Sequence, residues 1–237
     1  MKSLALLALI PALTTSIFAA DLGKLIFEDD FNRKETPAGT DEPGNGWGTN
    51  SKARAKGDRQ VELKDGAMRI FISPRADHAV TVTHAAEFKD GAVTLRFMLE
   101  DAKDSLGLDF ADAKCKEVHA GHLCAVKVDP KQVAMIDHKT GGMRADIHDA
   151  RTAKTELTEE QKQALVGKTK NAPHATEIGK WHELLVKIEG DEISVGIDGS
   201  AVGNFHSPGI AHPTKMMLRF AVPHNAVVDD VKIFRKG

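Results

Sequence analysis

The chain has 237 residues, with 32 Lys and Arg against 34 Asp and Glu and a formal net charge of −2 at pH 7. Because positive and negative charges nearly balance, no broad field favours nucleic acid or an anionic membrane surface. The length suits one all-β domain with a sizeable core.

The first twenty residues have the order of a secretory signal peptide. Lys2 supplies a positive start, residues 4–10 are apolar, and Ala19 and Ala20 end the segment with small residues. The apolar run is shorter than the roughly 20 residues that a bilayer requires. We expect a secreted or periplasmic mature domain at residues 21–237 with no membrane span, an uncleaved anchor being the alternative.

Alternating apolar residues predict a series of β-strands. Such runs lie at residues 67–72, 92–99, 106–110, 182–188 and 193–197. Turn pairs that suit tight hairpins adjoin them at Asp65-Gly66, Asp90-Gly91, Gly190-Asp191 and Asp198-Gly199. Short strands joined by hairpins predict an all-β sandwich or barrel in which each strand buries one face.

A long excursion, residues 139–180, interrupts this pattern. Within it, Thr158 and Gln161 form a capping-box pair, which predicts one short surface helix over residues 158–168. Excursions of this length are usually functional or mobile, and a decorative insertion is the alternative.

Cys115 and Cys124 are the two cysteines. In a secreted protein an even pair predicts a disulfide, which here would close a short loop holding His119 and His122. Two free thiols are one alternative. A metal site made by these four side chains is another, although their spacing matches no common zinc pattern.

Three segments carry a resemblance to a known superfamily. Residues 25–33 (LIFEDDFNR), followed by Trp47, resemble the opening of laminin G-like and concanavalin A-like lectin/glucanase domains. Residues 181–205 and 227–236 are similar to the last third and the closing strand of that superfamily. The resemblance implies a concanavalin A-like jelly-roll sandwich of two antiparallel sheets, with the short helix in its long loop. The layout is also similar to 3-keto-disaccharide hydrolase-type domains, whose LFNGKDL opening is absent.

The resemblance leaves the activity open, because the superfamily holds lectins, glycosidases, lyases and adhesion modules. The paired carboxylates of family-16 glycosidases, in an E-x-D-x-x-E strand, are missing, since Arg33 stands where the last Glu would follow Glu28. The chain has no Tyr, which excludes a tyrosine-based lyase mechanism. It also lacks the G-x-S-x-G turn of serine hydrolases.

Histidine is abundant, with 11 residues in the chain. His119 and His122 precede a predicted strand, His138 ends one, and His148 lies just beyond. Because titratable groups near strand ends often build active sites, we take His122, His138 and His148 as candidate acid–base residues or metal ligands. Ordinary polarity of solvated loops is the alternative.

Strand alternation turns Arg96 and Asp109 toward solvent. A turn near Ala102 would place them opposite each other, either as a simple ion pair or in a glycan groove on a concave sheet. The candidate glycan-binding residues are therefore Arg96, Asp109, His138, Arg144 and His148. Arg69, Lys127 and Arg219 share the solvent-facing parity.

The two tryptophans could serve as sugar platforms. We interpret Trp47 as a plug over one end of the core and Trp181 as a structural residue.

Acidic residues lie near both ends of the mature chain. In this superfamily the terminal strands are commonly neighbours, so Glu28, Asp30 and Asp230 form a candidate structural Ca²⁺ site. It would resemble the calcium sites of related carbohydrate-binding modules. Protection of edge strands is the alternative. No other cofactor is expected.

Taken together, the residues and the resemblance favour a secreted, monomeric carbohydrate-binding domain that recognises a glycan on its concave sheet. A glycoside hydrolase or lyase using histidine is one alternative, and a protein-interaction sandwich is another. Histidines that converge within hydrogen-bond reach in one cleft would favour the enzyme, and scattered histidines beside a shallow groove would favour binding.

Overall fold

The computed structural model describes residues 21–35 and 41–237. The predicted signal peptide, residues 1–20, lies outside the described residues, so secretion stays a prediction. Among the described residues, no helix combines the length and the apolar character needed to cross a membrane.

The described residues form fifteen strands and three α-helices. The strands are β1 (Lys24–Asp29), β2 (Gly48–Thr49), β3 (Val61–Lys64), β4 (Ala67–Phe71), β5 (Val80–Phe88), β6 (Gly91–Met98), β7 (Leu106–Ala111), β8 (His122–Val128), β9 (Gln132–Asp137), β10 (Thr169–Pro173), β11 (His182–Glu189), β12 (Glu192–Ile197), β13 (Ser200–His206), β14 (Lys215–Val222) and β15 (Asn225–Arg235). The helices are α1 (Ser51–Arg54), α2 (Ala145–Thr152) and α3 (Glu159–Ala164).

The strands form two antiparallel sheets. Sheet A has the order β13-β12-β11-β6-β15-β4-β3, with β1 also paired to β15, and sheet B has the order β10-β9-β8-β7-β14-β5-β2. In each sheet a late strand lies between two early ones, β15 between β6 and β4 and β14 between β7 and β5. These crossovers make the molecule a jelly-roll sandwich, which confirms the predicted fold class and the pairing of the terminal strands.

Alternation along the strands builds the core between the sheets. On β6 the side chains of Leu95 and Phe97 are buried, and on β7 those of Leu108 and Phe110 are buried in the same cluster. The intervening residues point away from the core, as a period of two requires.

Trp47 closes one end of this core. Its side chain is 5% exposed. Its ring stacks on Phe220 with centroids 5.3 Å apart and meets the edge of Phe27 at 5.8 Å. The indole Nε1 donates to Asp29 Oδ2 at 2.8 Å. The interpretation of Trp47 as a core plug is therefore confirmed.

Both cysteines carry free thiols, so the predicted disulfide is wrong. Alternation along β8 turns Cys124 into the core, where its side chain is fully buried, whereas Cys115 lies half-buried in the loop before β8. Burial raises the pKa of the Cys124 thiol to about 12. In the described part of the chain, no three His, Cys, Asp or Glu side chains are arranged to hold a metal ion.

This placement predicts unequal thiol reactivity. In the folded protein we expect Cys115 to react with an aromatic disulfide reagent and Cys124 to react only after denaturant is added, because a buried thiol is neither ionised nor accessible. The Cys115→Ser variant should give no native-state reaction. An intact mass lacking two hydrogens would instead show a disulfide and contradict the structure.

The long excursion is more ordered than the sequence indicates. Helix α3 begins at the predicted capping box, with Gln161 N donating to Thr158 Oγ1 at 3.2 Å. Helix α2 and the edge strand β10 were not predicted. The reason is local, since Ile147 is the one buried side chain of α2 and gives no periodic signal.

Candidate functional site

A charged pair lies on the outer face of sheet B. Because Leu108 and Phe110 point into the core, Asp109 points outward from β7. Arg219 on β14 is its direct cross-strand partner, with Nη1 3.3 Å from Asp109 Oδ2. The register of two neighbouring strands thus places a carboxylate and a guanidinium side by side.

His122 joins this pair from the start of β8. A register shift between β7 and β8 sets His122 opposite Ala111, and its Nδ1 lies 2.8 Å from Asp109 Oδ2. The preceding turn is closely fitted, since a Cβ on Gly121 would lie 2.3 Å from the Asp112 carbonyl oxygen. Only glycine permits that approach, so the backbone before His122 is held in one position.

His138 approaches His122 from the end of β9. The backbone N–H groups of His138 and Lys139 both donate to the carbonyl of Leu123, at 3.0 and 2.8 Å. These two bonds hold His138 beside the first residues of β8. The ring centroids of His122 and His138 are 5.8 Å apart.

His119 and His148 complete the group. The loop before β8 is tied to the excursion by the isolated bridge between Val118 and Arg144 and by a bond from His119 N to Met143 O at 2.8 Å. As a result the rings of His119 and His148 stack with centroids 3.6 Å apart. We call the set His119, His122, His138 and His148, with Asp109 and Arg219, the histidine cluster.

The surroundings favour the neutral form of two of these imidazoles. Burial lowers the pKa of His138 below its usual value. Loss of solvent, followed by the charges of His148 and His122, lowers the pKa of His119. A neutral imidazole can accept a proton. On His122, Nδ1 faces Asp109 and Nε2 lies 3.4 Å from Arg219 Nη1.

The second carboxylate oxygen of Asp109 has an unusual environment. Asp109 Oδ1 is buried and has no hydrogen-bond partner within the described residues. Buried polar atoms without partners are uncommon and are found at functional positions. Asp109 thus has one carboxylate oxygen against His122 Nδ1 and the other without a donor.

The predicted contact between Arg96 and Asp109 is wrong. The connection after β6 crosses from sheet A to sheet B, so these two residues lie in different sheets. Arg96 instead pairs with Asp229 at 3.3 Å, and its guanidinium lies 4.7 Å from the ring centroid of Trp181. The outward partner of Asp109 is Arg219.

Trp181 is also placed differently from our interpretation. Its side chain is 37% exposed, so it is not part of the buried core. It lies just before β11 of sheet A, away from the histidine cluster.

Arg144, a predicted glycan contact, already has a partner. Its Nε and Nη2 donate to the two oxygens of Asp146, each at 2.7 Å. This fork holds the pKa of the Asp146 carboxyl well below its usual range. Glycan binding by Arg144 stays a prediction.

The predicted calcium ligands line one cavity without forming a cation site. Glu28, Asp30 and Asp230 border a space of about 680 Å³ beside β1 and β15. Across the described residues, however, no three carboxylates converge, and Asp29 is bonded to the guanidinium of Arg33. The residues do not fit the six to eight oxygen ligands that Ca²⁺ takes.

The comparisons with known proteins bear on the fold. No protein-family profile matches the sequence, and no curated protein matches it. Among solved structures, the chain is similar to SCLam, a non-specific endo-β-1,3(4)-glucanase from family GH16, with a TM-score of 0.56 and 14% identity over 89% of this chain and 90% of that one.

Two further structures are similar over most of their length. The Bacillus licheniformis β-glucanase has a TM-score of 0.59 and 10% identity, covering 90% of this chain and 99% of its own. The carbohydrate-binding module CBM66 from Bacillus subtilis has a TM-score of 0.50 and 14% identity, covering 78% of this chain and 93% of its own. At these identities the likeness concerns the fold alone. The chain has a concanavalin A-like jelly-roll fold.

Proposed function

We propose that this protein cleaves a glycan at the histidine cluster, with His122 as the acid–base group. The observation that carries the proposal is the 2.8 Å contact between His122 Nδ1 and Asp109 Oδ2 on the outer face of sheet B. A carboxylate in this position orients the ring and stabilises the imidazolium that forms during proton transfer.

The chemistry follows from the proton that His122 can carry. In hydrolysis, a proton on His122 passes to the leaving sugar oxygen as the glycosidic bond breaks. Water then attacks the anomeric carbon from the side that the leaving group has vacated, and His122 takes the proton that this water loses. Asp109 offsets the positive charge on the ring before the first transfer and after the second, and Arg219 holds Asp109 in place from β14.

Two observations favour cleavage over binding alone. Four histidines from three separate segments lie together, with neighbouring ring centroids 3.6 to 6.3 Å apart, rather than being scattered along a groove. Neither tryptophan of the described residues offers a stacking platform there, because Trp47 is buried and Trp181 lies beside sheet A.

The test is a glycan panel scored for both retention and released product. We expect His122→Gln to lower kcat/KM by about 100-fold or more, because loss of a general acid–base group typically costs two to four orders of magnitude. Asp109→Asn should show a loss in the same direction. His206→Gln, a change at an exposed histidine on β13 of sheet A, is the matched control and should retain full activity.

Each alternative has its own outcome. Retention without product would replace the proposal with a binding module. Neither retention nor product on a broad panel would contradict the carbohydrate proposal and leave a protein-interaction sandwich. If His122→Gln still releases product at the wild-type rate, the catalytic residues lie outside the histidine cluster.

A further inference from the structure

A cavity lies next to the histidine cluster, separate from the one beside β1 and β15. It has a volume of about 320 Å³ and lies at the edge of sheet B, between β9, the start of β10 and helix α2. His138 lines both this cavity and the cluster. We call it the basic cavity, because Arg151 and Lys168 form part of its wall.

Arg151 brings a positive charge that no neighbour neutralises. The residue is exposed in the last turn of α2, and in the described part of the chain its guanidinium makes no ion pair. It lies close to a glycine, since a Cβ on Gly142 would lie 3.1 Å from Arg151 Nη1. The guanidinium therefore rests against bare backbone at the cavity wall.

Lys168 brings a second positive charge. Its Nζ lies 3.7 Å from Asp137 Oδ2 and 3.5 Å from Ser207 Oγ. Asp137 is fully buried, and its oxygens already accept hydrogen bonds from neutral donors. Asp137 and Lys168 both line the cavity, and Lys168 is the partner of that carboxylate.

We propose that the basic cavity binds the negatively charged substituent of a sugar, a carboxylate or a sulfate, and that the substrate is an acidic glycan. This inference rests on the proposed function. The charged residues that line the cavity are Arg151, Lys168 and Asp137. Lys168 pairs with Asp137, so the guanidinium of Arg151 is the excess positive charge. Burial lowers the pKa of His138, which favours its neutral form. A guanidinium offers paired donors that match the oxygens of either group.

The spacing suits one chain bound across both features. His138 lines the basic cavity, and the ring centroids of His138 and His122 are 5.8 Å apart. A charged group in the cavity would then belong to the sugar unit under attack or to its neighbour. The cavity would fix the register of the glycan relative to His122.

The experiment compares matched oligosaccharides that differ only in charge. One pair carries a uronate or its carboxyl-reduced form, and the other carries a sulfate or the desulfated form. Direct binding is titrated by calorimetry, and turnover is measured in parallel. We expect wild-type protein to prefer the charged member of one pair by tenfold or more, and the preferred pair identifies the anion.

Variants test whether the basic cavity is responsible for the preference for charged glycans. Arg151→Gln should remove most of it by raising KM for the charged glycan, with kcat little changed, because a contact made equally in ground and transition states affects KM alone. Lys170→Gln removes an equal charge from an exposed position on β10 outside the cavity wall and should have no effect.

The outcomes separate this inference from the proposed function. Equal binding and cleavage of charged and neutral glycans would overturn the acidic-glycan inference and leave the enzyme in place. A preference that persists in Arg151→Gln would overturn the role of the basic cavity. Charge-dependent binding without turnover would support the cavity and overturn the cleavage proposal. No binding of either pair would overturn both.

Discussion

Trp47→Ala is expected to lower the free energy of unfolding by about 4 kcal/mol, in the range found when a buried aromatic side chain is removed from a core. The indole is packed among Phe27, Phe31 and Phe220 and leaves a large void when truncated. The change also removes the donor that Trp47 Nε1 supplies to Asp29. Urea denaturation followed by far-ultraviolet circular dichroism measures the difference.

Two further variants sharpen this test. Trp181→Ala removes the same side chain from a position that is 37% exposed and should cost far less. Trp47→Phe keeps most of the packing but loses the bond to Asp29, and we expect it to cost about 1–3 kcal/mol. Equal losses in Trp47→Ala and Trp181→Ala would mean that Trp47 does not close the core.

Asp137→Ala is expected to lower the free energy of unfolding by about 3 kcal/mol or more, because a buried carboxylate that satisfies several donors is lost. Asp137 accepts from Thr140 N at 2.9 Å, Ser207 Oγ at 2.5 Å and Gly209 N at 3.0 Å. It therefore ties two loops to the end of β9. Asp77→Asn, a change at an exposed carboxylate, should leave stability nearly unchanged.

The contribution of Asp137 should depend on pH in a defined direction. Burial alone would raise the pKa of this carboxyl, but hydrogen bonds from Ser207, Thr140 and Gly209 outweigh it and hold the pKa below 3.8. A lowered folded-state pKa gives stability that is complete above the unfolded value and is lost as pH falls through the folded value.

We therefore expect the stability difference between wild type and Asp137→Asn to be constant near neutral pH and to shrink below about pH 4. Urea titrations at a series of pH values measure it. A difference that grows on acidification would contradict the ionised state of Asp137. Because the same carboxylate positions the segment after His138, both Asp137 variants should also weaken turnover.

The sequence could predict which way a side chain points from its strand, but it could not predict which residues lie beside that side chain. Alternation along one strand shows that Asp109 points outward, but it does not show which strand lies beside it. Arg96 and Arg219 have the same parity, and only the sheet order decides that Asp109 meets Arg219. The same limit applies to Cys124, whose inward orientation follows from parity while Cys115 lies in a loop with no such constraint.

By itself the sequence determined the local structure: the alternating strands, the hairpin at Asp65-Gly66 with both residues at positive φ, and the capped start of α3. These features depend on neighbours in the chain, so pattern and turn chemistry are sufficient. The tertiary structure alone decided the meeting of His119 with His148 and of His138 with His122. Those contacts depend on backbone hydrogen bonds between loops distant in sequence, which no local pattern encodes.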